Sequence, residues 1–146
     1  MGATPGTPPS AALLGGQMSE PVRVTYENAA DKLVESLPEL KESYQAELEW
    51  WGTDRPGPHI IYGDILNPYI DRLLQAGGET GLRRVFAFLE ALSQNEDARV
   101  QELVAVTVCE YLGNAPKKLQ MAKRFMGPAT LKISEEVERF WRTRNT

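Results

Sequence analysis

Residues 82–113 read LRRVFAFLEALSQNEDARVQELVAVTVCEYLG and decide the fold. Leu82, Val85, Phe86, Leu89 and Leu92 recur at steps of three and four, and so do Val100, Leu103, Val104, Thr107, Val108 and Tyr111. That spacing predicts two helices, over 80–94 and 97–112, each burying one face, joined by a short polar link. Gly113 is placed to end the second in a left-handed turn.

Outward from this pair, every segment again reads as helix. Thr25 is an N-cap for a helix reaching Leu37, with Ala29, Ala30, Leu33 and Leu37 inward. Pro38 opens a second helix to Trp51, striped by Leu40, Tyr44, Leu48 and Trp51. Residues 52–58, GTDRPGP, hold two glycines and two prolines and form a loop. A third helix over 61–76 carries Ile61, Ile65, Tyr69 and Leu73, with a kink or break expected at Asn67 because Pro68 follows. Gly77 and Gly78 end it. Pro116 to Met126 and 129–142 complete the set, the last carrying Leu131, Val137, Phe140 and Trp141. No strand-like alternation occurs. The expectation is an all-α fold of six or seven short helices packed as antiparallel pairs, a helical bundle or a HEAT-like stack.

The chain's 146 residues, 42% hydrophobic and 25% charged, fit one domain able to bury a core without a metal or disulfide. Residues 1–21, rich in Gly, Pro, Thr and Ala, read as a disordered tail, and 22–146 as a single helical domain. One cysteine cannot form an internal disulfide. No run approaches the ~20 apolar residues of a membrane span. The N-terminus lacks the basic start and the roughly 7–15 apolar residues of a secretory signal. A cytoplasmic protein is expected, with no membrane partner.

Charge divides the chain. Residues 20–54 hold nine acids and three bases, whereas residues 113–146 hold three acids and eight bases. Such asymmetry bears on partners rather than on fold. Lys117, Lys118, Lys123 and Arg124 make a basic helix. The acidic total and the lack of a helix-turn-helix or stacking motif argue against nucleic acid.

Catalytic equipment is sparse. His59 is the sole histidine and has no recognisable partner for general-base work. With Cys109 as the only other soft ligand, no zinc site is expected. Cys109 lies in mid-helix, away from the basic neighbourhood that activates a thiol. Phosphate loops, dinucleotide turns and nucleophile elbows are missing, so no cofactor is expected. Glu90 and Glu110 each border an apolar stripe. They read first as carboxylates bracing a neighbouring segment, and secondly as the acids of a small helical enzyme or ligand-binding protein. Glu47, Glu49, Trp50 and Trp51 close an acidic helix; only Trp51 continues its stripe, which points Trp50 elsewhere.

Several stretches resemble a known family: Ile60 to Ile65, Asn67-Pro68-Tyr69, Phe86 to Glu90, Val106 to Leu112 and Phe125 to Thr130. They look like small bacterial all-helical proteins known mostly as a domain of unknown function, over about residues 24–141. Proteins of this kind are often immunity proteins of toxin–immunity pairs. The resemblance implies an inhibitor's role and supplies no catalytic residues. The leading expectation is therefore a non-enzymatic protein that neutralises a cognate, basic toxin by direct binding. Glu42, Glu47, Glu49 and Trp50 are the first candidates for partner contact, with Tyr62 and Asp64 behind them. A homo-oligomeric helical scaffold is a third reading.

Overall fold

A computed structural model describes residues 23–144. The tail expected to be disordered lies outside the described residues. Those described contain no strand, and the fold is all-α. Its helices are α1 (Ala29–Ser36), α2 (Lys41–Trp51), α3 (Pro58–Ile61), α4 (Asn67–Ala76), α5 (Glu79–Ser93), α6 (Ala98–Glu102), α7 (Glu110–Gly113), α8 (Pro116–Lys123) and α9 (Pro128–Arg144). A π turn at Tyr62–Leu66, π1, fuses α3 to α4. A second at Leu103–Cys109, π2, fuses α6 to α7.

The helix ends follow local chemistry. The N-cap of α1 is Asn28 and not the expected Thr25; the two pair in the turn ahead of the helix, the Asn28 N–H donating to Thr25 Oγ1 at 3.1 Å and the Thr25 N–H to Asn28 Oδ1 at 2.7 Å. Asp97 accepts the Arg99 N–H at the start of α6. Gly77, at φ 67°, ends α4 in the left-handed conformation that favours glycine. Gly113 does not adopt the left-handed turn expected of it. The chain continues in tight turns there, Asn114 and Ala115 donating to Tyr111 and Leu112, and no positive φ is needed.

The two π turns explain the main departures from the expected stripes. Pro68 has no N–H for the carbonyl four residues back, so the helix widens ahead of it rather than breaking: the Asn67 N–H reaches Tyr62 O, five residues away. One extra residue in a turn rotates everything beyond it. The buried stripe therefore runs Ile61, Ile65, then Ile70 and Leu74, where Tyr69 and Leu73 were expected. In π2 the Glu110 N–H reaches Ala105 O. Here Val108 keeps its expected place in the stripe, Thr107 and Tyr111 leave it, and Cys109 and Leu112 join the core.

The core draws Leu33 from α1 and Leu37 just after it, Phe86, Leu89 and Leu92 from α5, and Val100, Leu103 and Val104 from the fused helix 98–113. The two π turns pack on each other, α5 packs on α4 and α9, and α9 also packs on π2 and α7. Toward this core α9 presents small polar groups, the fully buried Thr130 and Ser134. Ser93 and Thr130 share a 2.8 Å hydrogen bond, which satisfies both hydroxyls. Phe140 and Trp141, farther along α9, are exposed. No helix of the described residues is long and apolar enough to cross a membrane.

Candidate protein-binding face

Helix α2 buries none of its residues, although it carries Tyr44, Leu48, Trp50 and Trp51. Leu40, just before it, is buried and anchors it. Tyr44, Leu48 and Trp51 are half-buried. Trp50 is 78% exposed, as its position off the stripe requires, and meets Trp51 edge-on with ring centroids 5.2 Å apart.

Trp50 flanks an open groove of about 500 Å³ between α2 and π1, whose lining also includes Ser43, Glu47, Asp64 and Ile65. The Glu47 carboxyl accepts the Trp51 Nε1–H at 3.0 Å, and the Asp64 carboxyl lines the same groove. The neighbouring Asp64 carboxyl, and then burial, hold Glu47 above the usual carboxylate range against the opposing pull of the indole N–H. Two facing acids next to a bare indole suit a cation, which can pair with the carboxylates and lie against the ring.

Of the six residues expected at a partner surface, the fold brings Glu47, Trp50 and Asp64 together. Glu42 and Glu49 stay exposed on α2 outside this groove. Tyr62 is a correction. It is fully buried, and its hydroxyl donates to Ala29 O at 2.9 Å. The wide π1 turn places Tyr62 beside Ile61 on the inner face. Ser43 stands two turns before Trp50 on the same face of α2, whereas Ile65, expected only as part of an inward stripe, is brought to the groove by tertiary placement.

Glu90 braces a neighbouring helix. Its two oxygens accept the N–H groups of Ala129 and Thr130, both at 2.9 Å, at the start of α9. Burial pushes its pKa up, but these backbone N–H groups outweigh burial and bring it below the usual 4.5. Glu110 lines a different groove, between the fused helix 98–113 and α9, with Glu102 and Glu136.

His59 has a partner 48 residues away: its Nδ1 lies 2.6 Å from Thr107 Oγ1. The Asn67 amide donates to Thr107 O at 3.1 Å, so Thr107 ties π2 to α3 and α4 on either side of π1. Burial pushes the Cys109 thiol up to about 12, which keeps it protonated and inert. In the basic helix, Lys118 pairs with Asp71 at 2.8 Å and Lys123 with Glu138 at 2.7 Å. Half of that helix's cations are thus balanced by their own fold.

Neither curated proteins nor solved structures give a match to the chain. Residues 30–142 match the family described as Domain of unknown function (DUF7674), and the chain belongs to that family.

Proposed function

We propose that this protein acts by binding another protein, with α2 as the docking element and a basic segment as its ligand. The observation that carries this reading is the exposed Trp50 beside the Glu47 and Asp64 carboxyls, on a helix with no fully buried residue. A packed helix hides its tryptophans, whereas tryptophan at a protein interface is a frequent hot spot, worth ~2 kcal/mol or more. The surrounding acidity of residues 20–54 speeds encounter with a basic partner and disfavours acidic ones.

In its specific form the reading is an immunity-type inhibitor in a bacterial cytoplasm. The partner is a toxin whose basic working surface is covered when its Lys or Arg side chains enter the α2 groove. Co-expression with the toxin encoded beside this gene tests it. A protective complex that survives purification, and that Trp50→Ala or Glu47→Lys weakens without unfolding the protein, supports the proposal. The lack of any complex or protection refutes the toxin assignment.

A further inference from the structure

The groove between the fused helix 98–113 and α9 encloses about 330 Å³. Ile133, Val137 and Phe140 of α9 form its apolar side, and Glu102, Glu110 and Glu136 supply its charge. No lysine or arginine is among the described residues that line it. Ile133, Glu136, Val137 and Phe140 stand at the three-and-four spacing of one helix face. Glu102 and Glu110 come from the fused helix 98–113, and Glu136 from α9 within the basic stretch 113–146, so the groove's charge is a local arrangement. The end of α9 has the opposite character: Arg139, Phe140 and Arg142 are exposed in succession, with Phe140 at 53%. The molecule therefore carries an acidic apolar groove and, running out of it along the same helix, a basic aromatic end.

We infer that α9 pairs antiparallel with α9 of a second copy, the Arg139–Arg142 end of each filling the acidic groove of the other. Both halves of the contact lie on one helix, which suits a two-fold interface in which the same patch serves both partners. An axis passing near position 138 sets Phe140 of each copy over Ile133 and Val137 of the other. It also brings Arg139 to the partner copy's Glu136. Phe140 then loses its exposure, and cations enter a groove that no lysine or arginine of the described residues lines. This groove shares no lining residue with the α2 groove.

Light scattering and sedimentation of the full chain over a concentration series test the inference. The expected result is a reversible dimer weakened by salt. Phe140→Glu and Glu136→Arg should each give monomers with unchanged circular dichroism, the exposed Phe140 being no part of the core. Combining Glu136→Arg with Arg139→Glu should restore the dimer, because the swap rebuilds the pair with its signs reversed. A chain monomeric at every concentration overturns the inference, and so does a dimer indifferent to both single substitutions. A monomer whose groove instead takes up a basic amphipathic peptide assigns the site to a different protein and likewise overturns it.

Discussion

The carboxyl of Glu90 fills the space that a side chain at position 127 would need: a Cβ on Gly127 would lie 2.4 Å from Glu90 Cδ. The glycine lets Glu90 approach the start of α9 and accept two of its N–H groups. Gly127→Ala should displace the carboxylate and cost about 1–3 kcal/mol. Glu90→Ala should cost about 1–2 kcal/mol as the loss of a cap. The two act on one contact, so urea unfolding of the double variant should show clearly less than their combined cost. Full additivity would show that the close approach is irrelevant to the cap.

Glu90 and Glu47 should respond oppositely to acid. Glu90 titrates below its ordinary value in the fold, so its ionised form adds stability. That contribution is present above about pH 4.5 and is lost as pH falls through the lowered folded value. Glu90→Gln should therefore be less stable than the parent at neutral pH, and the gap should close in acid. Glu47 titrates above its ordinary value, so its ionised form opposes folding above that raised value. Relief comes as pH falls through it. Glu47→Gln should be slightly more stable than the parent at neutral pH, with the gain fading as pH falls through the raised value and gone below about pH 4.5. Thermal melts across pH 3–8 check both signs.

Tyr62 serves the core and not the partner surface. Tyr62→Phe removes the donor to Ala29 O and should cost about 1–2 kcal/mol in denaturant unfolding. Partner affinity should stay unchanged, because no part of the ring reaches solvent. A loss of affinity with stability intact would place Tyr62 in the binding face after all.

Much of the fold is written in apolar spacing. Val85, Phe86, Leu89 and Leu92 are all buried where a regular helix puts them. Regularity is also where the reading stops. Pro68 announces a disturbance, but the missing N–H alone does not say whether the helix bends, breaks or widens. It widens, and the face from Tyr69 onward turns by one residue. No proline or glycine marks π2 within Leu103–Cys109; there Thr107 meets His59 and Asn67, partners 48 and 40 residues away. The candidate face was legible where it depends on one helix, as with Trp50 and its neighbouring glutamates. Asp64 could be suspected from its charge, but its meeting with Glu47 belongs to tertiary structure. The groove at Glu102, Glu110 and Glu136 is a product of α9 packing beside π2 and has no local signature.

The central claim is that Trp50 and the acids around it form the working surface. Its most direct test is the dissociation constant of the complex with the proposed toxin partner, for the parent chain and for Trp50→Ala, with both confirmed folded. A contribution of about 2 kcal/mol is roughly a thirtyfold weakening, and that is the expected result. An unchanged dissociation constant would contradict the claim and move the binding surface off α2.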